Sequence, residues 1–469
     1  MNFKNFKDKK VTVMGLGLHG GGAGAAKFFS QIGAKVLVTD LRSKEDLKES
    51  LEKLKDLPIK FILGQHRSED FINSDLVIKN PAVHEKSKYL EIARVNKVPI
   101  DTDIGIFFEL CEAPIIGVTG TRGKSTTAAL IAKMLSRKYS DVVLAGNIRA
   151  SVLEKLAKIN KNTLVVLELS SWQLAGLNNH QKSPHLSIIT NIMPDHLNRY
   201  ETMAEYIEDK KLIFKRQKSK DFLILNYDDK IVRNFARETK SKVLYFTREN
   251  GLIEEERGAF IKGQKIFFGR EKEAICSIED IALLGQHNLN NVLAAVSAAR
   301  LYQVSDKSIK KALSNFKGLE GRLELIAEVN GVKYINDTTA TIPEAVLAAL
   351  NSFPVKQNII LIAGGTDKNL DFHELAENIV KRVKNLILLP GTATDKLEPM
   401  LKNQLPIIKA GQMTEAVQEA SKLTKAGDVI LLSPGCASFG LFRHEFERGE
   451  HFNKAVALLK NDQLLISNF

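Results

Sequence analysis

The sequence predicts an α/β protein of three domains, in which mostly parallel sheets carry helices on both faces. Short apolar strands alternate with helical patterns along the whole chain, and this alternation is typical of parallel sheets. Two of the strand-to-helix junctions are glycine-rich, as in folds that bind phosphates. The length of 469 residues corresponds to about three ordinary domains. We place the domain boundaries at 1–112, 113–318 and 319–469.

The first domain opens with a predicted strand at 11–14, a glycine cluster at 15–22 and an Ala-rich helix. A second strand at 36–39 ends in Asp40, which stands 20 residues beyond the last glycine of a G-x-G-x-x-G pattern. This spacing is typical of a nucleotide-binding βαβ unit. Further strands are predicted at 61–63 and 75–78.

The second and third domains repeat the alternation of strands and helices. The second begins with a strand at 115–118, a second glycine turn and a helix at 126–135. Its other predicted elements are strands at 164–167 and 187–190, helical stretches at 206–214 and 285–302, and a turn at 317–319. The third domain is predicted to contain strands at 334–335, 359–363, 386–389 and 429–432 and a helix at 343–350.

The composition excludes several classes of protein. With 44% hydrophobic and 26% charged residues, the chain is neither disordered nor fibrous. Cys111, Cys276 and Cys436 lie too far apart to suggest a disulfide framework or a zinc ribbon, so a reducing cytoplasm fits best. The first ten residues lack an apolar signal region, and no apolar run reaches the about 18 residues of a spanning helix. We therefore expect neither export nor a membrane-embedded segment.

The net charge of +12 is spread along the chain, without an arginine-rich block or a basic stretch interleaved with aromatics. Nucleic-acid binding is therefore not expected. A surplus of positive charge equally suits an enzyme that gathers anionic small molecules.

The first glycine cluster contains G-x-G-x-x-G at Gly15, Gly17 and Gly20. Missing side chains let the backbone approach a pyrophosphate at a helix N-terminus. A dinucleotide cofactor is the default ligand of this pattern, and a tight turn that binds nothing is the alternative. Asp40 stands where a ribose hydroxyl or a base edge would be met.

The second glycine cluster, at 117–126, resembles a P-loop. In such a loop the backbone N–H groups wrap the phosphates, a lysine such as Lys124 reaches the β- and γ-phosphates, and the next hydroxyl, here that of Ser125, holds Mg²⁺. Val118 stands where the strict pattern has a glycine. The strand before and the helix after the cluster favour phosphate binding over an incidental glycine-rich turn.

Two phosphate sites in consecutive domains indicate two phosphorylated ligands. A dehydrogenase needs one such site, so an enzyme that uses ATP beside a nucleotide-linked substrate fits better. Glu168 and His196 each follow a predicted strand, and side chains at the carboxyl ends of neighbouring parallel strands converge on one crevice. Both residues suit a second Mg²⁺ site.

Several motifs together, in this order, are similar to those of the Mur ligases. They are Thr119-Gly120-Thr121-Arg122-Gly123-Lys124-Ser125-Thr126, the run 168–173, Asp195-His196, Gly285-Gln286-His287-Asn288 and Leu319-Glu320-Gly321-Arg322. The resemblance covers essentially the whole chain and is greatest to the branch that adds glutamate. It implies a Rossmann-like N-terminal domain, a central P-loop-type ATPase domain and a C-terminal Rossmann-like α/β domain. Folylpolyglutamate synthetase shares the central domain type but not this N-terminal domain.

The resemblance also implies a reaction. ATP would phosphorylate the carboxylate of UDP-N-acetylmuramoyl-L-alanine, and the amine of glutamate would then displace phosphate, in peptidoglycan precursor synthesis. Lys124 would neutralise the transferring phosphoryl group, Ser125 and Glu168 would hold one Mg²⁺, and His196 would ligate a second. Lys210 matches a lysine that Mur ligases carry as a carbamate, although the adjacent Lys211 leaves a shift by one residue open.

The family's binding residues carry over to this chain as follows. The expected ATP contacts are Gly120, Thr121, Gly123, Lys124, Ser125, Thr126, His287, Asn288, Asn291, Arg322 and Asp337. The expected contacts with the UDP-linked substrate are Gly15, Leu16, Gly17, Asp40, Arg42, Asn147, Ser170 and Gln173. The expected metal ligands are Ser125, Glu168, His196 and a carbamylated Lys210.

The amino-acid pocket departs from the family pattern. Thr339 replaces a lysine that binds the incoming glutamate, and the segment after Ser438 is unusual, so Arg443 or His444 is expected to supply the positive charge. Thr339, Ser438, Phe439 and Arg443 are the expected amino-acid contacts. D-glutamate is the expected substrate, with L-glutamate or another amino acid as the alternative. We expect a cytoplasmic monomer. A nucleotide-binding sensor would need no counterpart of Glu168, His196 and Lys210.

Overall fold

The computed structural model describes residues 3–17, 20–146, 151–194, 200–249, 257–270, 273–283, 285–286 and 288–466. The chain forms two compact units. The first consists of Met1–Asp280 with Asn290–Leu313, and the second of Ile281–Leu289 with Ser314–Phe469. The first unit contains two sheets and the second contains one.

The N-terminal sheet of the first unit has five parallel strands in the order β3-β2-β1-β4-β5. The strands are β1 (Lys10–Met14), β2 (Lys35–Asp40), β3 (Lys60–Leu63), β4 (Leu76–Lys79) and β5 (Ile100–Asp101). The helices are α1 (Gly21–Gln31), α2 (Lys48–Glu52), α3 (Ser68–Ile72), α4 (Lys88–Val95) and α5 (Asp103–Leu110). The strand order reverses between β1 and β4, and ligands of open α/β sheets bind at such a switch point.

The second sheet of this unit has nine strands in the order β14-β13-β12-β11-β10-β9-β6-β8-β7. The strands are β6 (Ile115–Thr119), β7 (Val142–Gly146), β8 (Leu164–Glu168), β9 (Leu186–Ile189), β10 (Phe222–Asn226), β11 (Lys242–Thr247), β12 (Gly258–Lys262), β13 (Lys265–Phe268) and β14 (Cys276–Ser277). Strands β6 to β12 pair in parallel, and β12 to β14 form an antiparallel edge. The helices are α6 (Lys124–Leu135), α7 (Ser171–Ala175), α8 (Met203–Lys211), α9 (Lys230–Asn234), α10 (Asn288–Leu301) and α11 (Asp306–Ser314).

The central strands of the second sheet are buried on both faces. Every residue of β6, β8 and β9 is buried, which is why these strands are continuous apolar runs and do not alternate. One continuous apolar core links this sheet with the N-terminal sheet, and it includes Phe29, Phe107, Leu153 and Leu167. The two sheets therefore belong to one packed body in which their carboxyl ends can share a site.

The second unit has a six-stranded sheet in the order β15-β16-β20-β17-β18-β19. The strands are β15 (Glu324–Val329), β16 (Val332–Asn336), β17 (Ile359–Gly364), β18 (Val383–Leu389), β19 (Ile407–Lys409) and β20 (Val429–Leu432). The helices are α12 (Pro343–Leu350), α13 (His373–Arg382), α14 (Thr392–Leu401), α15 (Met413–Lys422) and α16 (Glu445–Ile466). Only β15 pairs antiparallel. Alternate residues of β17 enter two different apolar cores, so helices cover both faces of the sheet.

The structure confirms the predicted fold class and changes several element boundaries. Helix α6 begins at Lys124, two residues before its predicted start, and the helix predicted at 206–214 is Met203–Lys211. Strands β7, β10 and β11 were not predicted from the sequence. The three cysteines are buried, and none of them forms a disulfide.

Candidate active site

The first glycine turn connects β1 to α1, and at this turn two backbone segments approach each other closely. Gly15 and Gly17 have φ values of 90° and 68°, and Gly20 caps α1 with a φ of 83°. A Cβ atom on Gly22 would lie 2.1 Å from the carbonyl oxygen of Gly15, so the helix can approach the turn only with glycine there. The G-x-G-x-x-G pattern does not include Gly22, so the motif does not predict this close contact. Among the residues that the structure describes, no side chain caps the N-terminus of α1, which leaves its N–H groups open to an anion.

Asp40 is fixed against this turn at the end of β2. Its buried carboxylate accepts hydrogen bonds from the backbone N–H groups of Gly17, at 3.2 Å, and Arg42, at 2.9 Å. The guanidinium of Arg42 lies 3.8 Å from the same carboxylate. The side chain of Leu16 is fully buried in the apolar core, so only its backbone can contact a ligand.

A cavity of about 730 Å³ opens at the carboxyl ends of the strands of the first unit. This volume is within the usual range for small-molecule sites. Of the predicted residues, Gly15, Gly17, Asp40, Arg42, Ser170 and Gln173 line it. Residues that the sequence analysis did not predict also line it, among them His66, Asn80, Tyr89, Asp103 and Trp172. Burial raises the pKa of Asp103 to about 6, despite a hydrogen bond from Ser151.

Ser170 and Gln173 have a structural role as well as a place in the cavity. They form a capping box at the start of α7, in which each side chain bonds the other residue's backbone N–H. Their orientation is therefore set before any ligand binds. Asn147, the remaining predicted contact of the UDP-linked substrate, lies outside the described residues.

The second glycine turn connects β6 to α6. Gly120 has a φ of 146°, and a Cβ atom there would lie 1.9 Å from Oγ1 of Thr190. The Nζ atom of Lys124 lies 3.1 Å from the carbonyl oxygen of Gly120 and 2.9 Å from that of Thr121. The lysine side chain therefore folds back over the loop. Ser125 and Thr126 follow it in the first turn of α6.

Two residues after β9 hold this loop in place. The Asn191 side chain accepts from the backbone N–H of Arg122 at 2.8 Å and donates to its carbonyl oxygen at 3.1 Å. Thr190 donates to the same carbonyl at 2.6 Å. On the opposite side, Oδ1 of Asn291 accepts a hydrogen bond from Thr127 at 3.3 Å. A Cβ atom on Gly123 would lie 2.1 Å from that Oδ1, so α10 packs directly on the loop.

The structure separates Lys210 from Lys211. Lys210 is 1% exposed, and its Nζ donates to the carbonyl oxygen of Gly120 at 2.8 Å. It also lies over the ring of Tyr206, at 4.6 Å, whose hydroxyl lies 3.0 Å from Oγ1 of Thr121. Lys211 forms ion pairs with Glu208 and Glu238, both at 2.8 Å. Only Lys210 contacts the glycine loop.

Glu168 ends β8 beside the start of this loop. It is 2% exposed and pairs in register with Val118, one residue before the end of β6. The carboxylate of Glu168 and the hydroxyl of Ser125 thus lie at the same edge of the sheet. Both are oxygen ligands of the kind that Mg²⁺ prefers. His196 and His287 lie outside the described residues, and Asn288 is buried at the start of α10.

A separate cluster of potential metal ligands lies at the end of β5. Asp101, Glu109 and His180 place one ligand atom each within 4.8 Å of one another. His180 Nε2 lies 3.0 Å from Asp101 Oδ1, and this contact raises the pKa of His180. The group connects β5 to the loop after α7 and takes no part in the glycine loops.

In the second unit, Asp337 follows β16. Its carboxylate accepts hydrogen bonds from Ser433 Oγ, at 2.7 Å, and from the backbone N–H of Leu323, at 3.1 Å. Burial nevertheless raises the pKa of Asp337 to about 7, and the charge of Arg322 opposes this rise. Arg322 therefore lies close enough to act on the carboxylate. Thr339 donates its hydroxyl to the carbonyl oxygen of Gly321 at 2.9 Å.

The structure places Arg443 on the surface, with 70% of its side chain exposed and its guanidinium 2.9 Å from Glu447. The buried cation of this region is Arg448, which is 1% exposed. It donates to Thr338 and to the carbonyl oxygen of Cys436, and it lies beside Ser438 and Phe439 in a small cleft. Burial raises the pKa of the Cys436 thiol to about 11, and the charges of Arg448 and Lys368 lower it. No sequence motif indicates this role of Arg448.

Three family descriptions match consecutive parts of this chain. Residues 9–101 match "Mur ligase MurD-like, N-terminal domain", residues 118–299 match "Mur ligase middle domain", and residues 321–436 match "Mur ligase, glutamate ligase domain". The chain therefore belongs to the Mur ligase family of ATP-dependent ligases, which confirms the resemblance seen in the motifs. None of the helices in the described part of the chain is long and apolar enough to cross a bilayer.

Within this family, the chain is similar over nearly its full length to proteins named UDP-N-acetylmuramoylalanine–D-glutamate ligase. The protein from Roseiflexus sp. is 45% identical, with 96% of this chain and 98% of that protein covered. The protein from Acetivibrio thermocellus is 37% identical, with 97% of each chain covered.

Solved structures show the same fold at lower identity. UDP-N-acetylmuramate-alanine ligase from Thermotoga maritima is 18% identical, with a TM-score of 0.63 over 96% of this chain and 99% of that one. MurF ligase from Thermotoga maritima in complex with ADP is 16% identical, with a TM-score of 0.56 over 97% of each chain.

Proposed function

We propose that this chain joins D-glutamate to UDP-N-acetylmuramoyl-L-alanine at the expense of ATP, in peptidoglycan precursor synthesis. The observation that carries the proposal is the full-length similarity, up to 45% identity, to ligases named for this reaction. The two glycine turns agree with it, since one would serve a UDP-linked substrate and the other ATP. The proposed domains are 1–112, 113–318 and 319–469. ATP and nucleotide-linked precursors are cytoplasmic metabolites, so the enzyme is proposed to act in the cytoplasm, as a monomer.

The cavity at the N-terminal sheet is the proposed site of the UDP moiety. The open N–H groups at the start of α1 would bind the pyrophosphate, because a helix N-terminus favours anions. Asp40, held by the glycine turn, would accept hydrogen bonds from the nucleoside. Ser170 and Gln173 line the same cavity from the central sheet, where the muramoyl and alanyl groups would lie.

The glycine loop 120–123 with Lys124 is the proposed ATP site. Lys124 lies over the loop on two carbonyl oxygens and would exchange them for β- and γ-phosphate oxygens. Ser125 and Glu168 fit one Mg²⁺, and His196 is proposed to bind a second. Bound Mg²⁺ would stabilise the negative charge that develops on the transferring phosphoryl group. Contacts of His287, Asn288, Asn291, Arg322 and Asp337 with ATP stay predictions.

Lys210 is the proposed site of carbamylation. The Lys210 ammonium would first lose a proton to free the Nζ lone pair. Nζ would then attack CO₂ to form an N–C bond, and loss of a second proton from the nitrogen would leave a carbamate anion in place of the cation. Its burial and its contact with the loop support this assignment over Lys211, which is held by two glutamates. A carbamate oxygen beside the loop would suit a metal ion, whereas an ammonium would repel one.

The amino-acid site is proposed at the loops that follow β16 and β20, around Thr339, Ser438 and Phe439. Thr339 offers a neutral hydroxyl that already bonds Gly321. Arg443 stays a predicted cationic contact, although its guanidinium is exposed and bonded to Glu447. Arg448 would shape the loop through its hydrogen bonds to Thr338 and Cys436.

The reaction follows in two displacements. A carboxylate oxygen of the UDP-linked substrate attacks the γ-phosphorus, and ADP leaves to give an acyl phosphate. The amine of glutamate then attacks the acyl carbon, the C–O bond to phosphate breaks, and the nitrogen loses a proton. Lys124 would stabilise the first displacement through its charge, in a loop already shaped to receive phosphate.

Phosphate release in the presence of UDP-N-acetylmuramoyl-L-alanine, ATP and a panel of D- and L-amino acids tests the proposal. We expect release with D-glutamate that depends on both other substrates. Release with L-glutamate and not with D-glutamate would favour the alternative amino-acid specificity. ATP binding without release for any amino acid would favour a nucleotide-binding sensor.

A further inference from the structure

His66 occupies a place in the proposed UDP cavity that no sequence motif indicates. It follows β3 and lines the cavity together with Asp40 and Tyr89. Its ring makes edge contacts with Tyr89 and Phe71, at centroid distances of 5.0 and 5.9 Å, and those two rings stack on each other. The imidazole is therefore fixed in orientation by aromatic packing.

The hydrogen bonds of Thr39 determine which ring nitrogen carries the proton. Thr39 Oγ1 lies 3.0 Å from the carbonyl oxygen of Gln65 and 2.7 Å from Nδ1 of His66. A carbonyl oxygen only accepts, so both hydrogen bonds form together only when the single hydroxyl proton of Thr39 goes to Gln65. The hydroxyl oxygen then accepts from Nδ1–H of His66, which leaves the lone pair of the neutral ring on Nε2.

The surroundings of the ring favour this neutral form. Burial lowers the pKa of His66, although Asp40 on β2 and Asp70 on α3 act in the opposite direction. Asp70 is itself bonded to Arg67 at 2.6 Å, and on α4 the ammonium of Lys88 lies over the ring of Tyr89, while Glu91 and Arg94 are bonded to each other. Near neutral pH, Nε2 is therefore a hydrogen-bond acceptor. Within the described part of the chain it has no hydrogen-bond partner.

The strand order places His66 at the base end of a bound nucleotide. The glycine turn follows β1, Asp40 ends β2, and His66 follows β3, so His66 lies two strands from the glycine turn, about 10 Å across the sheet. With the pyrophosphate at the glycine turn and the ribose near Asp40, the base extends toward β3. This step rests on the proposed function.

We propose that His66 selects uracil by accepting a hydrogen bond from its N3–H at Nε2. Cytosine presents a lone pair at N3, so the same contact would set two acceptors against each other. Protonation of the ring would turn Nε2 into a donor and remove the contact. His66 is thus a specificity-determining residue that takes no part in the bond-forming steps.

Calorimetric titration with UDP and CDP, combined with steady-state kinetics, tests this assignment. We compare wild type with His66→Phe, which keeps an aromatic ring without an acceptor, and His66→Gln, whose amide oxygen can accept. His373→Phe is the matched control, because His373 is 77% exposed in the second unit. For His66→Phe we expect about 5- to 20-fold weaker UDP binding and CDP binding that is as tight or tighter, because the acceptor that opposes N3 of cytosine is gone, with kcat nearly unchanged. His66→Gln should recover part of the loss.

The pH dependence provides a second readout. UDP affinity of the wild type should fall as the pH is lowered through the pKa of His66, which burial places below its ordinary value, while that of His66→Phe should lack this component. Equal UDP affinity of wild type and His66→Phe, in an enzyme that forms product, would overturn the role of His66 and leave the proposed function intact. Absence of both UDP binding and product formation in the wild type would instead overturn the proposed function.

Discussion

Replacing Arg448 with Met should destabilise the second unit far more than the same change at Arg443. Arg448 is 1% exposed and donates to the hydroxyl and carbonyl oxygens of Thr338, at 3.1 and 2.8 Å, and to the carbonyl oxygen of Cys436, at 3.2 Å. It thereby joins the loop after β16 to the loop after β20. Methionine has a similar length but no donor, so these oxygens would lose their partner.

The size of the effect follows from two opposing contributions. Three hydrogen bonds from a charged donor are worth about 5–9 kcal/mol in total. Burial lowers the pKa of Arg448 from 12.5 to about 10, which corresponds to a desolvation cost of about 3 kcal/mol that methionine does not incur. We therefore expect a net loss of about 2–6 kcal/mol, or about 4–24 °C in the midpoint of thermal unfolding of a unit of this size.

Thermal unfolding followed by circular dichroism, with Arg443→Met as the control, measures this difference. The exposed pair of Arg443 and Glu447 should contribute less than about 1 kcal/mol. The KM for the amino acid should also rise in Arg448→Met, because the two loops flank the proposed amino-acid site. Equal unfolding midpoints for the two variants would refute the assigned role of Arg448.

Three other outcomes are expected. Lys124→Ala should lower turnover by about 10²-fold or more while leaving UDP binding intact, and unchanged turnover would contradict the ATP assignment. Lys210→Ala should lose most activity and regain part of it with added short carboxylic acids, whereas Lys211→Ala should stay active; the reverse pattern would shift the assignment by one residue. Because Asp337 has a pKa of about 7 when folded and 3.8 ordinarily, the folded state binds more protons between these values. The free energy of unfolding of the wild type should therefore fall, relative to that of Asp337→Asn, as the pH rises from 4 to 7. The same pH dependence of the unfolding midpoint in both proteins would contradict the raised pKa.

The glycine turns were predictable because their chemistry is local. A residue without Cβ is needed wherever backbone segments approach closely. The glycines that meet this requirement stand close together in the sequence, at 15–20 and 120–124, and so form a visible pattern. The buried parallel strands were partly predictable as apolar runs. Strands such as β10 and β11 were missed because a short apolar run does not by itself distinguish a strand from a buried helix.

Site residues that depend on tertiary packing were harder to predict. Lys210 and Lys211 are equivalent in sequence but differ by about 100° around a helix, so packing of α8 decides which of them meets the loop. Nearness in sequence to Ser438 favours Arg443, yet in the structure Arg443 bonds Glu447 near the start of α16, and Arg448 is the buried cation. His66 belongs to no motif. Its proposed role in binding uracil follows from its place in the cavity and from its hydrogen bond with Thr39, which depend on the folded structure.

Mass spectrometry of the product tests the central claim most directly. The enzyme is incubated with UDP-N-acetylmuramoyl-L-alanine, ATP, Mg²⁺ and D-glutamate, with Lys124→Ala as the control. We expect the wild type to form the UDP-linked substrate extended by one glutamate residue, with one ADP and one phosphate released for each product molecule, and the variant to form almost none. ATP hydrolysis without an extended product, or equal product from the variant, would contradict the account.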